Sequence, residues 1–560
     1  MILEKIIDNI IDEIEKAYTF TKEELRSCLE VCNIKGKPNC TFFLLKIRQN
    51  AAEITNDFYT SILNANIKYV KDVTARGPSV SFNINIIPYG SEIISTILEK
   101  NESFGKNNIG NNKTVVIDYS SPNIAKIFHM GHFRTTILGN FIKKLHNFCG
   151  YNAIGLNYLG DWGKQFGFVL LGYEKFGKEE ELKNDPIKHL FDVYVKINNL
   201  ASEDPTIDTQ AKKIFEMMEK DNNEKYLKQW AFFRQISINK YKELYKKLGV
   251  EFEEYSGESK YEKICWDEIK KLDFLITNPD KSVCVDLGKE KNPVVLKSDG
   301  TTLYLTRDYS AALDRIKRHK AEKLIYVVSV EQKEHFEDLF SVLKKAKVNC
   351  EFEHVQYGMV KGMSTRKGTV KFLEDIIETA TDVMLKQIES EPERRAAIED
   401  VKETALNLAV STLIIMDFSA KRIKGYEFDV EKRAKNVNGT GSYIQYAHCR
   451  LKSIEIMNKD LDIKKEIDTK FIEQEEIQAL LYKLIWFEKT IVSCLEDLEP
   501  NKLYTYINDL CAYTNSINKK MMVKGVDSDI ASVRLNVLKC ARIVIGNALR
   551  LFGLTPLNKM

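Results

Sequence analysis

His129, Met130, Gly131 and His132 are residues of the types, and at the spacing, that could hold a nucleoside triphosphate. Two histidines three apart share one face of a helix and can donate to phosphate oxygens, while Gly131 has no side chain to block close approach of a nucleotide. If the quartet opens a helix, the phosphates also meet free backbone N–H groups and the positive end of the helix dipole. Alone the pattern is weak, because histidines on helices are more often satisfied structural groups. Its companion lies far downstream: GMSTRKGT, 362–369, carries Met363, Ser364, Arg366 and Lys367 in a basic loop suited to the same phosphates. Two such features in this order point to ATP chemistry.

These residues need a frame, and the flanking sequence supplies one. TVVIDY at 114–119 is a short buried-strand run that SSPN breaks, and from His129 a helical pattern runs through Phe133, Ile137, Phe141, Leu145 and Phe148 to Gly150 as a stop. Strand, loop and helix make the first unit of a nucleotide-binding, Rossmann-type α/β fold; 153–159 returns as a strand and LIYVVS, 324–329, supplies another much later. The charged, mostly helical pattern at about 175–295 reads as an insertion in that sheet. From Ile376 onward the pattern is helical, giving a connecting segment to about 425 and an all-α bundle at 426–560. Ahead of it, 1–112 opens with isoleucines at helical spacing and ends near the alternating VSFNINI, an N-terminal α+β domain bounded by the polar stretch 102–113. The catalytic domain is then expected over 113–425.

The chain has 560 residues, 44% of them hydrophobic, enough for three or four domains of about 150 residues with a core in each. Eighty-three basic against 80 acidic side chains leave a charge of +3, so any nucleic-acid partner must be argued locally. Eleven cysteines without a CxxC pair suggest neither disulfides nor a zinc cage but reduced thiols. The acid-rich amphipathic start resembles no export or transit peptide, and no apolar run reaches the roughly twenty residues of a membrane span, so a soluble cytoplasmic protein is expected.

In the helical bundle, Tyr443, Tyr446 and Arg450 fall on one helical face beside Lys421, Arg422, Lys424, Lys432, Arg433 and Lys435. Aromatics interleaved with cations can stack unpaired bases and hold phosphates, although the same spacing describes a core stripe.

With these motifs in order, the chain resembles the class I aminoacyl-tRNA synthetases, whose two signatures are HxGH and a mobile loop of the KMSKS type. SSPNIAKxxHxGHxR, LNYLGDWGKQFG, LYLTRDxxAAxDR, MSTRKGTV, YxQYAHxRLxS and the terminal LFGLTP resemble the arginyl enzymes in particular, from about residue 113 to the end. The loop departs from KMSKS: Gly362 stands at the first lysine position and Thr365 at the second, so another cation must neutralise the leaving pyrophosphate. The resemblance points to Lys126, with Arg366 and Lys367 as further candidates. It also implies that Asp118, Asp308, Tyr304 and Gln332 face a substrate guanidinium, whose planar fork of donors needs carboxylates and oriented acceptors. Asn123 and His132 would hold the amino and carboxylate ends of the amino acid, Ser121 and Pro122 would belong to the same arginine site, and GDWG would support the site. The implied partners are L-arginine, ATP as its Mg2+ complex and tRNA(Arg), with Tyr446 and the terminal Met560 at the anticodon end. No prosthetic group or protein-held metal is expected, and a monomer is. A synthetase for another amino acid, or a catalytically dead RNA-binding relative, would share parts of this pattern.

Overall fold

In the computed structural model, which describes residues 1–33, 39–126, 128–262, 264–289, 292–361, 372–427, 439–461 and 467–560, TVVID forms strand β1 (Thr114–Asp118) at the centre of a five-stranded parallel sheet. Its neighbours are β2 (Asn152–Leu159), β3 (Glu254–Gly257), β4 (Lys323–Ser329) and β5 (Glu351–Tyr357), in the order β5-β4-β1-β2-β3. In register, Asp118 lies opposite Leu156 on one side and Tyr326 on the other. The chain leaves β1 to build one half of the sheet and returns to build the other. The carboxyl end of β1 is therefore a topological switch point, where open α/β sheets bind ligands.

Helix α1 (Met130–Phe148) crosses from β1 to β2 and buries Phe133, Ile137, Phe141 and Leu145. It stops just before Gly150, whose φ of +81° lies in the left-handed region that glycine tolerates. Helices Pro186–Glu203 and Pro205–Glu219 then begin on Asp185 and Asp204, whose side chains accept from Lys188 N and Thr206 N, each followed by a proline that needs no N–H partner. They pack with Gln165–Phe176 and α2 (Glu224–Lys247) around a separate apolar cluster.

The 175–295 stretch is not one excursion. Glu254–Gly257 rejoins the main sheet as β3 beside β2, and only afterwards do Leu275–Thr277, Val283–Val285 and Val294–Leu296 form a small antiparallel sheet. Both edge strands, β3 and β5, escaped the sequence pattern because an edge strand with one exposed side carries polar residues such as Glu254 and Glu351.

The isoleucines of helix Ile2–Ala17 are all buried, and the same N-terminal region holds a four-stranded antiparallel sheet of Leu29–Val31, Cys40–Phe43, Ser79–Ile84 and Val70–Arg76, against which helix Ala51–Asn64 packs. The polar stretch after it is a packed turn: Phe104 is fully buried against Phe487, and Asn547 donates to the carbonyls of Asn101 and Phe104 at 3.0 Å. Beyond β5 the described chain is mainly helical, apart from a short parallel pairing of Val360–Lys361 with Tyr426–Glu427, with α5 (Val401–Phe418), α6 (Gly441–Met457) and α7 (Ser528–Leu551) among its long members; here α3 is Tyr304–His319 and α4 is Lys333–Lys345. Among the described residues no helix is long and apolar enough to cross a membrane. All eleven cysteines are free thiols.

One buried cation joins these parts. Arg134 of α1 is 0% exposed; its Nε lies 3.0 Å from Asp417 of α5, and its Nη1 donates to the carbonyls of Gly358 at 2.5 Å and Lys424 at 2.9 Å. Tyr426 and Tyr357 lie over the same guanidinium. Removing one partner of such a pair strands the other charge, so Asp417→Ala should cost about 3–5 kcal/mol, whereas adding Arg134→Met to it should recover part of the loss. Urea unfolding of the single and double variants measures both; a double variant no better than Asp417→Ala would contradict the pairing.

Candidate active site

Between β1 and α1 the chain adopts conformations that side chains rarely take. Ser120 (φ 72°), Ser121 (φ 47°) and Ala125 (φ 57°) are all left-handed, a strain of order 1–3 kcal/mol each that the surroundings must hold. A buried polar network does so. Ser120 N donates to Thr135 Oγ1, Ser121 N to Asn157 Oδ1, and the Ser120 hydroxyl bonds both Tyr245 and Thr136 at 2.7 Å. Tyr241, also from α2, donates to the carbonyls of Asn123 and Lys126. Asn123 bridges to Gly160, where a Cβ would sit 1.9 Å from its Oδ1, so only glycine lets this side chain lie there.

His129 is the N-cap of α1: its Nδ1 accepts from Gly131 N at 3.0 Å, and His132 Nδ1 accepts from His129 N at 3.4 Å. The two rings stack with centroids 4.0 Å apart. Because each Nδ1 is an acceptor, the neutral rings carry their proton on Nε2, the atom left to donate to a ligand. Burial pushes both histidines down, His132 well below its ordinary value with the charges of His129 and Lys126 adding to the effect, so both are neutral near pH 7. Lys126 is half-buried, with its ammonium 5.6 Å from the Tyr194 ring centroid, and burial lowers it too. The fold thus brings Lys126, His129 and His132 together at the positive end of α1. Met363, Ser364, Arg366 and Lys367 lie outside the described residues. The chain flanking them is anchored to the same helix start: Leu373 N donates to Phe128 O, and Gly358 O accepts from Arg134.

Of the residues expected in the amino-acid pocket, Asp118 and Asp308 lie close enough for their charges to interact near the carboxyl end of β1. Asp118 is buried, Asp308 and Tyr304 lie in the first turns of α3, and Gln332 is exposed just before α4. Both acids already have partners. Asp118 Oδ2 pairs with Arg315 Nη1 at 2.9 Å and its Oδ1 accepts from Ser121 Oγ; Asp308 Oδ2 lies 2.7 Å from His335 Nε2. Burial raises the Asp118 carboxyl, against Arg315 and Ser121, and the charge of Asp308 adds to the rise. Tyr304 is 62% exposed, its ring over the Arg307 guanidinium. Pro122 is buried at the turn.

Asp161 of the GDWG turn is fully buried and holds structure: Arg234 pairs with it at 2.7 Å, Ser259 donates from both N and Oγ, and Trp230 donates to its carbonyl. On α6, Tyr443, Tyr446 and Arg450 are half-exposed while Ile444, Gln445, Ala447, His448 and Cys449 are buried, so the three form one accessible stripe; Tyr443 also packs on the core. The tail is tied to the same helix through Gln445 and His448 to Thr555 and Leu557, and Met560 packs on the cluster around Met384 and Val401. Arg422 is spent on the carbonyls of Gln356 and Asp497; Lys432, Arg433 and Lys435 lie outside the described residues.

Arg134, Arg315, His335, Tyr241 and Tyr245 had no role assigned from sequence. For the two arginines a signal existed: each is a cation on a stripe of small or apolar helix positions, Arg134 with Leu138 and Phe141, Arg315 with Ala311 and Ala312.

Comparison with known proteins adds to this geometry. Residues 93–430 match the family model for tRNA synthetases class I (R), catalytic domain, and 444–560 match the DALR anticodon binding domain. The arginine–tRNA ligase of Encephalitozoon cuniculi is 48% identical over 560 residues, covering 99% of this chain and 100% of that one. The cytoplasmic arginine–tRNA ligase of Saccharomyces cerevisiae is 38% identical over 88% of this chain and 84% of its own length; mitochondrial enzymes are also among the relatives. In fold, the arginyl-tRNA synthetase of Thermus thermophilus superimposes with a TM-score of 0.79 at 17% identity, covering 100% of both chains. The chain belongs to the class I arginyl-tRNA synthetases, the arginine–tRNA ligases.

Proposed function

We infer how the described residues divide the work of an arginine–tRNA ligase. Asp308, with Asp118, Tyr304 and Gln332, receives the guanidinium of L-arginine; Ser121, Pro122, Asn123 and His132 receive its amino and carboxylate ends. ATP enters as its Mg2+ complex, with His129, Gly131 and His132 against the phosphates; Met363, Ser364, Arg366 and Lys367 of the second loop are assigned to the same ATP. The arginine carboxylate attacks the α-phosphorus, pyrophosphate leaves, and the terminal ribose of tRNA(Arg) takes the arginyl group from the adenylate. No side-chain nucleophile is needed, so the protein positions and neutralises.

The observation that carries this reading is the juxtaposition at one switch point of a neutral histidine pair with free Nε2 donors and two carboxylates whose charges reach each other. Lys126 supplies the cation missing from the second loop; in its support, its charge is felt at His132. Tyr443, Tyr446, Arg450 and Met560 lie toward the tRNA anticodon, supported by the accessible stripe on α6 within the matched anticodon-binding segment. The enzyme acts as a monomer in cytoplasmic translation.

Two variants separate the roles. Asp308→Ala leaves a guanidinium without its acceptor and should raise the arginine KM by about 100-fold or more in ATP–pyrophosphate exchange. Lys126→Ala should lower kcat by about 10- to 1,000-fold with the arginine KM nearly kept. An unchanged arginine KM in the first would remove Asp308 from the pocket. A normal rate in the second would move the phosphate cation to Arg366 or Lys367.

A further inference from the structure

The two acids of the pocket carry different kinds of counter-ion. Asp118 is paired with Arg315, which is 2% exposed, lies over the rings of Tyr158 and Tyr326, and stays charged at any pH a protein survives. Asp308 is paired with His335, on the first turn of α4, and both side chains keep partial access to solvent at 22% and 23%. Only the second counter-ion can lose its charge near neutrality.

We propose that His335 is a positioning residue that sets the affinity of the pocket for arginine: as a neutral ring it donates Nε2–H to Asp308 Oδ2 and leaves Oδ1 and the full negative charge for the substrate guanidinium, whereas as imidazolium it cancels that charge and competes with the substrate. This rests on the reading of Asp308 as a guanidinium acceptor. The geometry fits both states, because a 2.7 Å Nε2–Oδ2 contact is satisfied by one N–H whether or not Nδ1 carries a second proton.

The surroundings fix the direction. Burial disfavours the imidazolium, but the hydrogen bond and charge of Asp308, with Asp338 on the same helix, more than reverse this and raise His335 above its ordinary value. His354 on β5 is a further titratable neighbour, coupled to His335 through repulsion. Around Asp308 stand Asp118, Tyr158, Tyr326 and Glu258, all of which feel its charge. Glu258 is the competing explanation: burial, with Asp308, Asp161 and Glu262 adding to it and Arg307 opposing, pushes it up to about 7, and a fall set by its ionisation instead of by His335 would have the same direction, so Glu258→Gln separates the two. A raised histidine is charged below its folded value and neutral above it, so the arginine KM should fall as pH rises through that value.

The test is the arginine KM in ATP–pyrophosphate exchange, at saturating ATP and tRNA from pH 6 to 8.5, for the wild type, His335→Asn, Glu258→Gln and Asp308→Ala. For the wild type a fall of about tenfold across this range is expected, the linkage expected of one competing proton. His335→Asn keeps a donor for Oδ2 without a titrating charge and should lose the fall, while Glu258→Gln should retain it. A His335→Asn profile that still falls like the wild type, or a fall abolished by Glu258→Gln instead, would overturn the proposal and leave Asp308 in the pocket. An Asp308→Ala enzyme with the wild-type KM at every pH would instead overturn the reading on which it rests.

Discussion

The guanidinium of Arg134 is the constraint on which the rest of the site depends. It projects from the second turn of the helix that begins with His129, and its partners come from three other stretches of chain: the carboxylate of Asp417 on α5, the carbonyl of Gly358 after the last sheet strand, and the carbonyl of Lys424. A fork of rigid N–H donors can satisfy several acceptors at once where a lysine could not. Through it, the helix capped by His129 is locked to the chain entering the second signature loop and to the connecting segment before the anticodon-binding domain. Because the ion pair is buried, the arrangement is all or nothing: a lost partner leaves a charge that water cannot reach.

The same helix start is where strain is stored. Three left-handed, non-glycine residues in six positions between Ser120 and Ala125 fold the chain back on itself, and hydroxyls of Thr136, Tyr241 and Tyr245 with the amide of Asn157 hold it there. The gain is a loop that presents Lys126 beside two histidines whose capping bonds select one tautomer. Preorganisation of this kind suits a reaction in which the protein contributes position and charge rather than a nucleophile.

Much of this was legible from residues. A buried strand, a break and an amphipathic helix stopped by Gly150 predicted β1, the loop and α1, because apolar periodicity and a required left-handed glycine are local signals. The rest was not local. β3 and β5 lie at the sheet edges and carry charges, so neither shows a buried-strand pattern. Asp118 and Asp308 could be named as acids, but not that Arg315 and His335 already pair with them, since those pairings depend on how α3, α4 and β1 meet. Asp161 could be placed in a turn, but its burial against Arg234 and Ser259 depends on an insertion returning to the sheet.

The most direct measurement is ATP–pyrophosphate exchange by the purified protein with each amino acid in turn, with and without total tRNA. Exchange is expected with arginine and not with lysine or any other amino acid. Equal exchange with lysine would contradict a pocket built for a guanidinium, and tRNA binding with no exchange for any amino acid would contradict an active ligase.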